Sequence, residues 1–296
     1  MDLSIVLVNY NDGRRLRACL ASLAAHPPAA EHEILVIDNA SIDGSLEDVR
    51  REFPAVRPIA NPTNAGFSAA NNRGVAESRG RFLLFLNTDT LVPAGALDAL
   101  LARFAADPAL GAVGPALVHA PGDYQVSFGN RVGFFAQIFQ KFALNPRHKR
   151  ALRLRRTRER EAGWLSAACL LCRREAFEKA GGFDERFFIY FEDIDLCARI
   201  RAAGWRLLFV PSVEVRHEGG ATTTATPERR AESRIEYRRS QLYYYRKHAS
   251  RASRRLLRAS IRASIALLRL RGAFRGETGR ALAARYRALL REEKAP

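Results

Sequence analysis

Polar side chains follow three apolar runs near the beginning of the chain, at the point where each run ends. They are Asn9, Tyr10 and Asn11 after the first run, Asp38 and Asn39 after the second, and Asn87, Thr88 and Asp89 after the third. Carboxylate and amide side chains in such positions can form hydrogen bonds with a bound ligand. These residue types indicate a site for a polar ligand, if the three runs lie side by side.

Alternating strands and helices are predicted around these polar positions. Apolar runs predict buried strands at 3–8, 33–37, 81–86 and 111–118, with a weaker strand at 57–60. Helical periodicity predicts helices at 14–25, 45–52, 66–78 and 93–104. This alternation indicates an α/β fold with a doubly wound, mainly parallel sheet and helices on both faces. Such sheets bind ligands beyond the carboxyl ends of their strands, so the three polar ends are expected to form one site.

Basic charge is concentrated in two parts of the 296-residue chain, whose net charge is +17. Residues 131–160 contain 10 basic and 1 acidic side chains, and residues 221–296 contain 20 and 6. Such patches attract membranes, nucleic acids or phosphorylated substrates. The first segment also has phenylalanines at helical spacing and is interpreted as an amphipathic membrane-interface segment, with a solvated basic helix as the alternative. Residues 229–290 are predicted to be helical, and either a membrane or the domain surface could cover them.

The cysteines and the first residues give no sign of export. The first apolar run has no basic region before it, and no apolar run reaches the ~18 residues of a spanning helix. We therefore expect a cytoplasmic protein with reduced cysteines. Cys169 and Cys172 form a C-x-x-C pattern without two further ligands at matching spacing, so a buried strand is predicted there rather than a zinc site.

Six motifs occur along the chain in the order known from one enzyme family. They are VNYN at 8–11, VIDNASIDGS at 36–45, NAGFSAANNRG at 64–74, FLNTDT at 85–90, GGFDERFFIYFEDIDLCARIRAAGW at 181–205 and RHEGG at 216–220. The ordered set resembles the inverting family 2 glycosyltransferases, most closely their bacterial rhamnosyltransferase-like branch. The resemblance implies a GT-A fold over 1–220, with a nucleotide-binding half at 1–118 and an acceptor half at 119–220. A basic helical extension at 221–296 would follow it.

The resemblance also implies roles for the polar strand ends. Asp38 would accept the base N–H, while Asn9 and Tyr10 would line the same pocket, with the tyrosine ring near the base. A turn or a helix cap is the alternative role for Asp38.

A metal site is implied where the family has its D-x-D motif. Asn87 occupies the first position, so Asp89 would be the main protein ligand for Mg²⁺ or Mn²⁺. His217 would contact the metal or the diphosphate. A helix cap for Asp89 and a structural role for His217 are the alternatives.

The acidic pair Glu192 and Asp193 stands where the family has its catalytic base. Asp193 would remove the proton of the attacking acceptor hydroxyl, and Glu192 would orient a substrate. An acidic helix N-terminus, favoured by the helix dipole, would also explain the two charges. Asp195 is expected to cap the helix or to pair with Arg199.

Further donor-site residues are implied between the strands. Asn64 and Gly66 would form a tight loop against the ligand, and Asn71 and Asn72 could donate hydrogen bonds to nucleotide or sugar oxygens. Helix capping is the alternative for these asparagines. Trp164 resembles a residue that lines the donor sugar.

The resemblance thus implies a metal-dependent hexosyltransferase. Its donor would be a dTDP- or UDP-sugar, with dTDP-L-rhamnose favoured, and its acceptor a hydroxyl of a polyprenyl-diphosphate-linked glycan or a polysaccharide in cell-envelope synthesis. The basic segments would hold it peripherally on the inner face of the cell membrane. The alternatives are a nucleotidyltransferase, a scaffold that binds nucleic acid or membrane, and an inactive relative.

Overall fold

The computed structural model describes residues 1–119, 123–130, 158–219, 226–275 and 277–292. Most of the basic segment 131–160 lies outside these residues, so its amphipathic character stays a prediction. No helix within the described ranges is long and apolar enough to cross a membrane.

Strands and helices alternate along the first part of the chain, as the hydrophobic pattern predicts. The strands are β1 (Leu3–Asn9), β2 (His32–Asp38), β3 (Val56–Ala60), β4 (Phe82–Asn87), β5 (Thr90–Leu91) and β6 (Leu110–Val118). The helices are α1 (Gly13–Ala25), α2 (Ser45–Glu52), α3 (Gly66–Ala76) and α4 (Ala96–Ala106). Helix α4 begins later than the predicted residue 93 because Gly95, with φ of 71°, turns the chain immediately before it.

The second part of the chain completes the sheet and adds a helical tail. It contains β7 (Phe128–Gly129), β8 (Arg160–Glu161), β9 (Trp164–Leu165), β10 (Cys169–Arg173), α5 (Arg174–Lys179), α6 (Glu192–Ala202) and β11 (Arg206–His217). The tail consists of α7 (Pro227–His248), α8 (Arg251–Arg275) and α9 (Glu277–Glu292). The helical character predicted for 229–290 is therefore confirmed.

The main sheet has nine strands among the described residues, in the order β3-β2-β1-β4-β10-β6-β11-β5, with β8 paired to β11. The pairs β3–β2, β2–β1, β1–β4 and β6–β11 are parallel. Strand β10 is antiparallel to both of its neighbours and joins the two parallel groups. The predicted mainly parallel sheet is confirmed.

Two hydrophobic cores lie on the two faces of this sheet. Alternate residues of β1 enter different cores: Leu3, Ile5 and Leu7 pack in one, and Val6 packs in the other. Helices α1, α2 and α4 cover the first face, and α3, α5 and α6 cover the second. The sheet is therefore doubly wound, and its edge is left as the place for a ligand.

The C-x-x-C pattern lies in the middle of the sheet. Cys169 and Cys172 belong to β10, and both are buried free thiols. Burial raises the pKa of Cys169 to about 12 and that of Cys172 well above its ordinary value. Because zinc binds the thiolate form, these thiols are poor metal ligands, as the buried-strand interpretation predicts.

The helical tail packs on the rest of the chain through a third core. Residues of α7, α8 and α9 cluster there with Phe187 and Phe191, which precede α6. The Tyr190 hydroxyl contacts the Ser233 hydroxyl at 2.6 Å, and the Ser240 hydroxyl donates to the carbonyl of Ile189 at 2.8 Å. The tail thus covers the segment that leads into α6.

A buried carboxylate joins α6 to the end of α7. Asp195 is fully buried, and its Oδ1 lies 2.8 Å from Lys247 Nζ and 2.6 Å from His248 Nε2. Its Oδ2 pairs with Arg199 at 2.7 Å, which confirms the predicted pairing. Burial by itself raises the pKa of Asp195, but these hydrogen bonds and charges outweigh burial, so the pKa lies below its ordinary value.

We expect Asp195→Asn to lower the free energy of unfolding at pH 7 by roughly 3–5 kcal/mol, since it removes the fully buried counter-charge of three partly buried basic side chains. A carboxyl whose pKa is lowered on folding stabilises the fold above its unfolded pKa of about 4 and loses this effect as pH falls through the folded pKa. The variant should therefore show a weaker acid-side dependence of stability. Urea unfolding between pH 3 and pH 8 measures both effects.

Glu232→Gln, which removes an exposed carboxylate from the same tail, is the matched control and should change stability little. Equal unfolding free energies for Asp195→Asn and the wild type across this pH range would contradict a stabilising role for the cluster.

Candidate active site

The polar strand ends meet at one edge of the sheet, as predicted. Register pairs Asn9 with Asp38 across β1 and β2, and Val8 with Asn87 across β1 and β4. The Asn9 amide donates to Asp38 Oδ1 at 2.8 Å, and the backbone N–H of Ser41 donates to Asp38 Oδ2 at 2.9 Å. Parallel pairing therefore brings residues from three distant parts of the chain together.

Asp38 is almost completely buried at this edge. Only 2% of its surface is exposed, and both of its oxygens already accept hydrogen bonds from the protein. Each oxygen has a second lone pair, so a further donor can bind once the loop above it gives access. Tyr10 is 39% exposed and is free to contact a ring.

Two loops above Asp38 have left-handed backbone at residues other than glycine. Asn11 has φ of 51° and Ala40 has φ of 59°. The side-chain oxygen of Asn11 accepts a hydrogen bond from the backbone N–H of Ile42 at 2.8 Å. The backbone N–H of Asn11 donates to Ser41 Oγ at 2.9 Å. Such backbone strain is found most often at ligand sites.

Asp89 and His217 form the second part of the site. The His217 Nε2 atom lies 3.2 Å from Asp89 Oδ1 and 3.3 Å from the Asn87 side-chain nitrogen. The other oxygen of Asp89 accepts from the N–H of Gly219 at 3.0 Å. The structure thus brings together Asp89 and His217, which the resemblance assigned to the metal, and Asn87, which it assigned to the nucleotide sugar.

Gln125 orients the His217 ring. Its Oε1 lies 2.8 Å from His217 Nδ1, and its amide nitrogen donates to the His217 carbonyl. An amide oxygen can only accept, so Nδ1 carries the proton and Nε2 is turned toward Asp89 with either a second proton or a free lone pair. This is the ring orientation that metal-ligating histidines have in proteins.

The donor set fits a hard divalent cation that binds together with a diphosphate. Burial raises the pKa of Asp89, but the hydrogen bond and charge of His217 and the Gly219 N–H outweigh burial, so the pKa lies below its ordinary value. Asp89 is therefore ionised at neutral pH. No group of three or more His, Cys, Asp or Glu side chains that could hold a metal occurs in the described ranges.

The acidic pair begins helix α6 after two strained residues. Tyr190 and Phe191 have φ of 71° and 67°, and α6 starts at Glu192. Glu192 is buried, and its Oε2 atom has no hydrogen-bond partner among the described residues. Asp193 is partly exposed and accepts hydrogen bonds from the N–H groups of Ala167 and Ile194 at 3.2 and 2.7 Å.

The two carboxyl groups have different protonation behaviour. Burial, with the neighbouring charge of Asp193, raises the pKa of Glu192 well above its ordinary value. Burial also raises the pKa of Asp193, to about 6. At pH 7 Asp193 is therefore mainly a carboxylate with the basicity of a general base, while the environment of Glu192 favours its protonated form.

Two adjacent backbone groups link the acidic pair to Asn87, which lies beside Asp89 and His217. The carbonyl of Ala168 accepts from the N–H of Asn87 at 3.0 Å, and the N–H of the preceding Ala167 donates to Asp193. Asn87 and Asp193 are therefore bonded to adjacent residues. The two chemical centres lie at the same edge of the sheet.

The asparagines predicted to contact the ligand bond mainly to the protein. Asn64 accepts from the N–H of Gly66 at 3.0 Å, and Asn71 donates to the Phe67 carbonyl at 2.9 Å. Asn72 donates to the carbonyl of Phe183 and accepts from its N–H, both at 2.9 Å. These side chains hold neighbouring backbone segments in place through hydrogen bonds, and their contact with a ligand stays a prediction.

Gly66 is required by the backbone approach of another segment. Its φ is +83°, and an added Cβ would lie 2.6 Å from the Phe188 ring and 2.7 Å from the Phe188 carbonyl oxygen. The neighbouring N–H of Phe67 donates to that same carbonyl at 2.7 Å. The loop therefore packs against the segment that precedes the acidic pair.

Trp164 lies in the small sheet formed by β7 and β9, where it pairs with Gly129. Its side chain is 8% exposed, and its indole N–H has no partner among the described residues. An unpartnered buried donor is consistent with the predicted contact to a sugar, which stays a prediction.

Comparison of the sequence with known proteins gives consistent matches. Residues 4–181 match the family model described as "Glycosyl transferase family 2". The chain is 36% identical over 245 residues to N-acetylglucosaminyl-diphospho-decaprenol L-rhamnosyltransferase of Mycobacterium tuberculosis, covering 76% of this chain and 78% of that protein. It is 31% identical over 220 residues to the O-antigen biosynthesis protein RfbC of Myxococcus xanthus, covering 71% and 17%.

Solved structures share the fold. The mannosyltransferase PcManGT from Pyrobaculum calidifontis, in complex with GDP-Man and Mn²⁺, superposes with a TM-score of 0.60 at 18% identity and covers 98% of this chain and 86% of that one. S. aureus TarS in complex with UDP-GlcNAc gives a TM-score of 0.55 at 20% identity, covering 82% and 66%. The expected GT-A fold is confirmed.

Proposed function

The chain belongs to glycosyl transferase family 2, and from this premise we propose that it transfers L-rhamnose from dTDP-L-rhamnose, with inversion, to a hydroxyl of a lipid-linked acceptor in cell-envelope glycan synthesis. The observation that carries the proposal is the placement of an ionised Asp193 and of the Asp89–His217 pair at one sheet edge, joined through Ala167 and Ala168. The Mycobacterium tuberculosis relative, named as an L-rhamnosyltransferase on a decaprenyl diphosphate, supports the sugar and the acceptor class. Family membership makes the nucleotidyltransferase and nucleic-acid scaffold alternatives unnecessary.

Within this proposal, the nucleotide-binding half is 1–118 and the acceptor half is 119–220. Asp38, Asn9 and Tyr10 bind the base at the carboxyl ends of β1 and β2. The extension 221–296 covers the acceptor half through the third core.

Asp193 acts as the general base. At pH 7 its carboxylate accepts the proton of the acceptor hydroxyl while that oxygen forms a bond to the anomeric carbon. The bond between this carbon and the diphosphate oxygen breaks on the opposite face, so the configuration inverts and the nucleoside diphosphate leaves. The raised pKa of Glu192 favours its protonated form, whose O–H can donate to a sugar oxygen and hold it in place.

Asp89 and His217 fit a bound Mg²⁺ or Mn²⁺. When bound, such a cation neutralises the negative charge that develops on the departing diphosphate. Asp89 would supply an ionised oxygen and His217 would supply Nε2, while Gln125 keeps the ring in the required orientation. The PcManGT complex holds Mn²⁺ in the same fold, which supports this ligand class.

Helix α8 supports attachment to an anionic membrane surface. It contains eight arginines and no acidic residue, and two of its leucines, Leu256 and Leu267, are 41% and 48% exposed. Arginines beside exposed apolar side chains favour the interface of an anionic bilayer. We infer that the enzyme binds peripherally to the inner face of the cell membrane.

Asp193→Asn should lower the rate of rhamnose transfer by roughly 10²–10⁴-fold, because the amide cannot accept the hydroxyl proton. For the wild type, kcat/KM should rise with pH through an inflection near pH 6 and level off about one pH unit higher, as the carboxylate ionises. Glu192→Gln, which copies the neutral form of Glu192, should retain this inflection. Binding of dTDP should be the same in all three proteins, and a wild-type rate in Asp193→Asn would remove this residue as the base.

Stabilisation by nucleotide tests the metal site. A ligand at 100 times its dissociation constant adds about 2.7 kcal/mol to the free energy of unfolding. We expect dTDP and Mn²⁺ together to raise the melting temperature by an amount that corresponds to this free energy. UDP, GDP or ADP, or dTDP without the metal, should raise it less. Asp89→Ala should lose the metal-dependent part, whereas Glu47→Gln, at an exposed site, should keep it. A shift independent of Mn²⁺ would contradict the metal assignment.

Flotation with liposomes tests the membrane proposal. The protein should float with vesicles that contain anionic lipid at low salt, remain unbound with zwitterionic vesicles, and be released as salt shortens the range of electrostatic attraction. Arg255→Glu combined with Arg262→Glu should weaken flotation, since both side chains are exposed on α8. Failure of the wild type to float with anionic vesicles at low salt would contradict membrane binding.

A further inference from the structure

The helical tail lines an open, solvent-accessible cavity beside the segment that leads into the acidic pair. The cavity has a volume of about 520 Å³ and is bounded by Tyr190, by α7 and by residues of α8 and α9. This volume lies in the range of pockets that bind small organic ligands. We call it the tail cavity.

The lining of the tail cavity combines cations with apolar surface. Arg234 and Arg238 of α7 contribute guanidinium groups, and no lining residue is acidic. Arg238 donates to the neutral side chain of Gln241 at 2.6 Å, and Arg234 forms no ion pair with another described residue. The two positive charges are therefore available to an anionic group.

The opposite part of the lining is apolar. Leu267 and Leu268 come from α8, and Leu282 comes from α9. Tyr237 and Tyr286 also line the cavity, and each offers an apolar ring face and a polar hydroxyl. A matching ligand has a strongly anionic head and a hydrocarbon chain.

The tail cavity is connected to the catalytic pair through one strained residue. Tyr190 lines the cavity, has left-handed backbone and stands two positions before Glu192. Its hydroxyl contacts Ser233, which also lines the cavity. A ligand held here is therefore next to the segment that sets the position of the general base.

We propose that the tail cavity binds the isoprenoid diphosphate portion of the lipid-linked acceptor, an inference that rests on the proposed function for the identity of that acceptor. Arginine pairs recognise diphosphate oxygens by charge-assisted hydrogen bonds. The leucines accept the first isoprene units. Leu267, which is 48% exposed, lies where the chain leaves the cavity toward the membrane surface on which α8 rests.

Calorimetric titration with farnesyl diphosphate, a water-soluble isoprenoid diphosphate, tests the site without any transfer reaction. The wild type should bind it more tightly than inorganic diphosphate or farnesol, since each of these offers only one half of the ligand. Arg234→Gln combined with Arg238→Gln should raise the dissociation constant at least about tenfold, as expected for lost hydrogen bonds between charged groups.

Two further variants separate the cavity from general effects of charge and folding. Arg255→Gln combined with Arg262→Gln removes two exposed charges of α8 outside the cavity and should leave farnesyl diphosphate binding unchanged. Ser264→Phe fills the cavity without a change of charge and should weaken binding. Unchanged dTDP binding in every variant shows that the fold is intact.

Three outcomes would overturn the inference. They are the absence of farnesyl diphosphate binding by the wild type, equal losses in the two arginine double variants, and displacement of farnesyl diphosphate by dTDP, which would place the ligand in the donor site. Unaltered binding in Ser264→Phe would likewise exclude the apolar part of the cavity.

Transfer assays distinguish this inference from the proposed function. With decaprenyl-diphospho-N-acetylglucosamine as acceptor, Arg234→Gln with Arg238→Gln should raise the acceptor KM about tenfold and leave the KM for dTDP-L-rhamnose unchanged. Rhamnose transfer without farnesyl diphosphate binding would contradict the tail cavity alone. Farnesyl diphosphate binding in the cavity without rhamnose transfer would contradict the proposed function alone.

Discussion

Strand register is the constraint on which the site depends. Backbone hydrogen bonds hold Asn9 opposite Asp38 and Val8 opposite Asn87, so polar groups from three loops share one edge. A slip of one residue would turn each side chain to the other face of the sheet. Strand β10 runs in the opposite direction, so its beginning, with Cys169 opposite Leu86, lies beside the end of β4. The residues just before β10 therefore bridge the two chemical centres.

Three carboxyl groups in the first turn of α6 show how position decides ionisation. The helix dipole favours a negative charge at all three. Glu192 is buried beside another acid, and its pKa is raised. Asp195 is also buried, but Arg199, Lys247 and His248 surround it, and its pKa is lowered. Asp193 lies between these extremes. Burial alone does not determine the charge of a carboxyl group, because the partners that share its environment can reverse the effect.

The sequence was sufficient to predict the fold and part of the site. Continuous apolar runs such as 33–37 are typical of strands buried on both faces, and β2 is such a strand. The convergence of Asp38 with Asn87 followed from the sheet type alone. Gln125 was not predicted, because its contact with His217 joins residues 92 positions apart and belongs to no recurring pattern. Asn72 was predicted at the ligand, but composition does not show that its amide is already bonded to Phe183.

The position of the tail could not be predicted for a different reason. Periodicity shows that a segment is helical and apolar on one side. A membrane and a protein surface can both bury that apolar side, so the pattern does not distinguish them. The contacts of Ser233, Ser240 and Lys247 are among those that show α7 packed on the protein.

These contacts have a consequence for how such a protein can diversify. The tail and the segment 187–195 share a core, hydrogen bonds and a buried ion cluster, so they form one cooperative unit although distant in sequence. If the tail were replaced by that of a relative, it would not be complementary to the segment 187–195. Asp195 could then lose the basic partners that the tail provides, Lys247 and His248. Recombination between relatives should therefore succeed when both pieces are exchanged together, and the two regions should change in concert as acceptor preference drifts.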